Sequence, residues 1–237
     1  MKPVLTPSIL LLALVAVVLS PTGARAEWYL DAYAGFSSTQ KTDVNISGLS
    51  VSGVPVQASL LDVKTDDSPI LGLRFGYWFS FLPEVGLGVD IFYFQPDVPS
   101  QTIIATGAVT GTIFDENITI GAAGPARLPS ITIPAIVFAA DLMLRWRFLQ
   151  TPDIPNGRLQ PYITVGPAWM VTDPEDYGTT LGFKVGGGFT WQFHRHMAVF
   201  VEYRYTQFLP DDIKIGGLKY GADVKTNHAL GGFSFRF

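Results

Sequence analysis

The chain has 237 residues and no cysteine. That absence excludes a disulfide framework, a Cys-ligated zinc or iron–sulfur centre, a thiol nucleophile and a lipidated N-terminal cysteine. Charge is scarce as well, with Asp, Glu, Lys and Arg making up 15% of the residues, against about 25% in an ordinary soluble domain. The formal charge is −4 and there is no run of Lys or Arg. With no basic stripe to displace phosphate counterions, no nucleic-acid partner is expected. Beyond the first 26 residues no apolar run is long enough for a transmembrane helix. What is abundant is glycine, at 24 residues, and aromatic side chains, at 13%. Such a composition implies that something other than water solvates much of the surface.

The N-terminal segment MKPVLTPSILLLALVAVVLSPTGARA carries one early cation, Lys2, an apolar run from Ile9 to Leu19, and then Ala24-Arg25-Ala26. The run is well short of the ~20 residues needed to span a bilayer as a helix. It reads as a secretory signal (residues 1–26) cut before Glu27, with small residues Ala24 and Ala26 at the cleavage site. Its removal leaves 14 basic against 20 acidic side chains.

The mature chain alternates with a period of two in eight segments, about the 9–11 residues of a membrane-crossing strand. They run approximately over 27–37, 70–79, 85–94, 134–148, 160–171, 180–193, 197–208 and 228–237. Side chains on a strand point alternately to its two faces, so sorting by parity separates two surfaces. One is apolar and aromatic without a single charge, as in Leu71, Leu73, Phe75 and Tyr77 or Val199, Val201, Tyr203 and Tyr205. The other is rich in glycine and holds every charge in the strands: Asp31, Arg74, Asp90, Asp141, Arg145, Arg147, Lys184, Glu202, Arg204 and Arg236.

Volume decides which face is inside. An eight-stranded barrel has an interior just wide enough to be filled by side chains or to hold one small ligand. More than forty mostly large apolar residues cannot fit there, whereas the glycine-rich ionic set can. The expected fold is therefore all-β: an eight-stranded antiparallel up-and-down transmembrane barrel (residues 27–237), aromatic face to lipid. With the N-terminus at the periplasmic end, Trp28, Phe79, Trp146, Phe148, Trp191, Phe193, Phe235 and Phe237 form one interfacial aromatic girdle. A sparser second girdle comprises Phe36, Tyr93, Trp169, Phe183 and Tyr205.

Connections alternate between short, at 80–84, 149–159 and 194–196, and long, at 38–69, 95–133 and 209–227, with 172–179 shorter. The first two long loops alternate too, which predicts hairpin extensions of the barrel wall with turns near Gly53 and at Asp115-Glu116-Asn117. The chain ends on the last strand, so no second domain is expected.

The pieces GLRFGYWF, QPYITVGPAW, GFKVGGGFTWQF, VEYRYTQF and the terminal ALGGFSFRF resemble the eight-stranded outer-membrane β-barrel family that includes the OmpA transmembrane domain, OmpX and the opacity-type surface proteins. The resemblance covers essentially all of the mature chain and bears on architecture rather than activity. It implies residence in a bacterial outer membrane, surrounded by lipid and lipopolysaccharide, as a monomer. It also implies that Phe233, Phe235 and Phe237 form the signal read by the barrel-assembly machinery. OmpA's peptidoglycan anchoring is not carried over, because no domain is expected after the barrel.

A search for chemistry yields little that is specific. Neighbouring strands place Asp31 between Arg74 and Arg236, with Glu202 and Arg204 beside the latter. Buried charges survive when paired, so the ten read as an ion-pair network plugging the lumen, with a charged constriction for small solutes as the sharper alternative. His228 and Ser234 share a parity, but six residues at ~3.3 Å each separate them by about 20 Å. His194 and His196 sit in a short turn and supply only two of the ligands a metal needs. The acidic loop residues Asp66, Asp67, Asp173, Glu175, Asp176, Asp211 and Asp212 read as solvated tips rather than a calcium or protease site, because no ligand-loop spacing appears. Asn45-Ile-Ser47 and Asn117-Ile-Thr119 match the glycosylation sequon by composition alone.

The resulting expectation is a non-enzymatic surface or structural protein with no cofactor and no metal, recognising any extracellular partner through loops 38–69 and 95–133. A narrow channel for small or apolar solutes, a lipid-modifying barrel enzyme and a soluble periplasmic ligand-binding barrel are the alternatives. The assignment of faces has a direct check. Leu73→Arg or Val201→Arg, near mid-membrane on the apolar face, is expected to cost roughly 2–4 kcal/mol and block insertion, read as loss of the unboiled gel-shifted band from the outer-membrane fraction.

Overall fold

The computed structural model describes residues 27–51, 54–113, 116–128, 130–172, 179–209, 213–215 and 218–237. The predicted signal segment with Ala24 and Ala26, the turn at Gly53 and the acidic residues at 115, 173, 175, 176, 211 and 212 lie outside them.

Eight strands form a closed barrel: β1 (Glu27–Thr39), β2 (Ser68–Trp78), β3 (Val85–Phe94), β4 (Ala135–Arg145), β5 (Leu159–Val171), β6 (Thr179–His194), β7 (Met197–Phe208) and β8 (Val224–Arg236). Each pairs antiparallel with its neighbours in sequence, and β1 closes on β8. Registers such as Asp31↔Arg74, Gly76↔Gly88 and Ala34↔Gly231 put inward residues beside inward and outward beside outward around the wall. The seam ends in a reciprocal pair of hydrogen bonds, the Trp28 N–H donating to the Phe237 carbonyl (2.9 Å) and the Phe237 N–H to that of Trp28 (3.0 Å).

The two faces are disposed as volume requires. Leu71, Leu73, Phe138, Val165, Phe189 and Val201 are exposed on the outside, while Asp31, Arg74, Asp90, Lys184, Glu202 and Arg204 are buried within. A soluble barrel would have this reversed. Of the expected girdle, Trp146, Phe148, Trp191, Phe193, Phe235 and Phe237 are exposed at one end of the wall, with Trp28 and Phe79 half-buried there.

One expectation about the strands fails. β4 ends at Arg145, so Arg147 lies past the barrel, half-exposed and paired with Glu84 of the β2–β3 turn rather than inside the lumen. The apolar alternation that suggested a longer strand belongs to Trp146 and Phe148, which remain in the girdle.

The outer loops are more organised than separate hairpins. Strands Thr42–Val51 and Val54–Val63 form the first, Gln101–Ile113 and Glu116–Leu128 the second, and the 209–227 connection, read from sequence as a loop, contributes Ile213–Ile215 and Leu218–Ala222. These six join into one sheet, ordered 213–215, 218–222, 42–51, 54–63, 101–113, 116–128. It continues the order of the barrel strands from which they rise: β7, β8, β1, β2, β3 and β4.

Glycine on the inner face makes room for tyrosine. A Cβ on Gly72 would meet the Tyr33 ring, and one on Gly76 the Tyr29 ring, so two large side chains lie flat against β2. Gly72→Ala is expected to destabilise the barrel by about 1–3 kcal/mol through overpacking. The penalty should shrink in a Tyr33→Ala background, a coupling measurable by urea unfolding of the four proteins of the double-mutant cycle in lipid vesicles.

Candidate functional site

Ten charged side chains are buried among the described residues, five acidic (Glu27, Asp31, Asp90, Asp141, Glu202) and five basic (Arg74, Arg145, Lys184, Arg204, Arg236). The lumen is thus formally neutral, with Glu27 taking the place that the sequence reading gave to Arg147. Strand alternation puts all ten inward; the barrel's narrow bore brings them together.

At mid-height the pairs reach across the lumen. Arg74 on β2 holds Asp31 on β1 (2.9 Å) and Glu202 on β7 (2.8 Å). Arg204 on β7 meets Glu202 (2.7 Å) and also Asp90 (3.0 Å), on the diametrically opposite strand β3. Lys184 on β6 bridges Asp90 and Asp141, the latter at 2.6 Å. The Tyr33 hydroxyl donates to Asp90 (2.5 Å) and that of Tyr162 to Glu202 (2.6 Å). Cationic groups also stack on rings, Arg204 over Tyr33 (4.8 Å) and Arg74 over Phe200 (5.4 Å), where the ring's negative face attracts a desolvated cation.

The end of the barrel that carries Glu27 and Phe237 has its own cluster. Glu27 receives Arg145 (2.6 Å), Arg236 (3.3 Å) and the Asn156 amide (2.7 Å), and Arg145 lies over Trp78 at 4.1 Å. Arg236 therefore belongs here, with Glu27, and not beside Asp31, Glu202 and Arg204 as strand adjacency suggested. On β1 it stands opposite Tyr29, whereas Asp31 stands opposite Ser234. The β4–β5 connection folds beneath this mouth with Ile154 buried. Outside the lumen, Glu84's own backbone N–H and the Arg147 guanidinium hold its carboxyl below the ordinary value.

The outer end is capped by apolar side chains. Ile70, Phe92, Phe94, Val137, Met170 and Phe208 are all buried there. Among them lies His228, whose Nδ1 is 2.7 Å from the Ser37 hydroxyl and whose Nε2 is 3.0 Å from that of Thr206, with Phe92 and Phe94 edge-on to its ring. The Ser–His pairing thus runs across the seam to Ser37, and not along β8 to Ser234. Register Ser37↔His228 carries it, information that one strand's spacing does not contain. Both ring nitrogens are engaged and the group is sealed from either end, so it holds the seam rather than presenting a nucleophile. His194 ends β6 and His196 lies in the β6–β7 turn, with ring centroids 5.8 Å apart, and His196 Nδ1 is 2.9 Å from the Arg236 carbonyl oxygen. Asp66 and Asp67 are exposed.

The tyrosines and phenylalanines of the lumen were the main omission from the sequence reading. Their signal lies in parity, since Phe92 and Phe94 share the inward register of Asp90, but neither charge nor glycine marks them.

A family model described as outer membrane protein beta-barrel domain matches residues 9–237. No curated protein sequence matches the chain. Among solved structures, Neisserial surface protein A aligns at 12% identity and TM-score 0.48, covering 89% of this chain and 97% of its own. The outer membrane protein OprG of Pseudomonas aeruginosa aligns at 14% identity and TM-score 0.44, covering 90% and 97%. The attachment invasion locus protein Ail of Yersinia pestis, in complex with a heparin analogue, aligns at 11% identity and TM-score 0.39, covering 89% and 99%.

The network's stakes are uneven. Asp90→Ala takes from both Lys184 and Arg204 one of their two carboxylates, leaving Asp141 and Glu202 as the remaining partners, and is expected to cost about 3–5 kcal/mol. Arg147→Ala, removing a half-exposed pair, is expected to cost about 0–1 kcal/mol. Urea unfolding of both variants in vesicles checks the contrast.

Proposed function

Because the chain belongs to the outer membrane protein β-barrel domain family, we propose that it serves the bacterial outer membrane as a structural and surface-recognition protein, in adhesion or envelope integrity, rather than as a catalyst or open pore. One observation carries this reading: the lumen is spanned wall to wall by the Arg204–Asp90 pair, between an apolar cap at the outer end and the Glu27 cluster at the periplasmic end. A barrel filled in this way offers its outer hairpins as working surface. The six-stranded outer sheet, built largely from 42–63 and 101–128, is then the face that meets an extracellular partner, with lipid and lipopolysaccharide around the wall. In the same reading Phe233, Phe235 and Phe237 engage the assembly machinery, and cleavage after Ala26 releases Glu27 as the first residue.

A narrow passage for small solutes is the second reading. It is favoured by the buried Asp31 Oδ1 and Asp141 Oδ1 atoms, which have no hydrogen-bond partner among the described residues and leave polar capacity for a guest in the lumen. Planar-bilayer recording separates the two. The plugged barrel is expected to stay silent at all voltages, and cells expressing it to adhere to immobilised matrix proteins or glycans only while the outer hairpins are intact. Steady conductance abolished by Arg74→Gln or Glu202→Gln would overturn the plug in favour of the passage. Altered lipid A on expression would instead point to lipid modification.

A further inference from the structure

The outward parity of β2 does not stop where the strand does. Phe75 and Tyr77 face outward, Phe79 follows, and Phe81 continues the odd-numbered series into the β2–β3 turn. The rings touch in succession: Phe75 on Trp28 (5.2 Å), Trp28 on Tyr77 (4.8 Å), Tyr77 on Phe79 (5.6 Å) and Phe79 on Phe81 (5.3 Å). An unbroken aromatic ladder therefore runs from the membrane-facing wall to the tip of a periplasmic turn. At that tip Phe81 is 82% exposed, with Leu82 exposed beside it.

This turn is held in place. The Val85 N–H donates to the Leu82 carbonyl (2.9 Å), the Arg145 N–H to that of Glu84 (2.8 Å) and the Arg145 Nε–H to that of Pro83 (2.8 Å). It is thereby fixed against β4 and cannot fold its apolar residues under the barrel. The neighbouring 149–158 connection does fold under, burying Ile154. Neither it nor the Arg195-His196 turn contains Phe, Tyr or Trp.

We propose that the Ser80–Glu84 turn is a membrane anchor, with Phe81 and Leu82 seated at the headgroup–acyl boundary of the periplasmic leaflet. The occupant is phospholipid because the patch is continuous with the lipid-facing wall, and aromatic side chains favour that boundary. The Glu84–Arg147 pair, with side chains 35% and 25% exposed, stands at the patch's polar margin. The proposal rests on the wall itself facing lipid.

The absence of cysteine allows a clean test. Single-cysteine variants Phe81→Cys, Leu82→Cys, Val201→Cys and Ser130→Cys of the full barrel are nitroxide-labelled, refolded into phosphatidylethanolamine/phosphatidylglycerol vesicles and checked by gel shift. Power saturation then compares access of oxygen, which partitions into lipid, with access of a water-soluble nickel chelate. Labels at 81 and 82 are expected to favour oxygen, as at 201 and unlike 130. Nickel access at 81 and 82 equal to that at 130, with 201 still in lipid, would overturn the anchor and leave a periplasmic protein as the patch's occupant. Nickel access at 201 would overturn the lipid-facing reading and the anchor with it. Adding Phe81→Ser to the Leu82→Cys protein is expected to raise nickel access at 82 at least twofold; no change would remove Phe81 from the anchoring role.

Discussion

A backbone amide or carbonyl within hydrocarbon has no water to bond, so a membrane-spanning sheet must satisfy every one internally and can have no free edge. In this chain the obligation falls on the junction of the first and last strands, where Trp28 and Phe237 exchange hydrogen bonds at one end and the register runs on to Thr39↔Thr226 at the other. Closure with eight strands sets the diameter, and the diameter sets what can happen inside. Opposite walls lie close enough that Arg204 on β7 reaches Asp90 on β3 at 3.0 Å.

That closeness accounts for the composition of the lumen. Ten ionisable side chains withdrawn from water would be costly singly, yet five acidic and five basic groups meet in pairs and triads. Replacing such a network with apolar side chains is often neutral or stabilising in other proteins, so its presence here speaks for a filled lumen more than for added stability. Tyrosine rings resting on Gly72 and Gly76 take up further space in the lumen, Tyr33 donating its hydroxyl to Asp90 and Tyr29 to the Met143 sulfur. Above them the apolar tier around Phe92 and Phe94 closes the outer end, with His228 tying β8 to Ser37 on β1.

The same economy shapes the two ends of the molecule. On the outside the wall continues as a six-stranded sheet, offering regular backbone and a broad surface beyond the membrane. On the inside the connections are short, and each does something different: one folds beneath the mouth with Ile154 and Asn156, one is polar, and one carries Phe81 outward in line with the aromatic girdle. The two ends therefore differ in kind, with a six-stranded sheet at one and three short connections at the other.

Period-two alternation in a chain with little charge and no apolar run of helix-spanning length pointed to the barrel, its eight strands and its apolar outer face, because strand geometry sorts side chains by parity and the interior volume admits only the smaller, charged set. Nine of the ten charges predicted inside are there for that reason; Arg147 is the exception, since periodicity does not show where a strand ends. Partnerships were a different matter. Arg204 with Asp90, Arg236 with Glu27 and Ser37 with His228 join residues 114, 209 and 191 positions apart, and adjacency along neighbouring strands misplaced Arg236. The union of three outer loops into one sheet was equally invisible, because their pairing depends on which barrel strands carry them. Facing is a local property of the chain, while pairing depends on register and on the bore of the closed cylinder, and only the tertiary structure decides those.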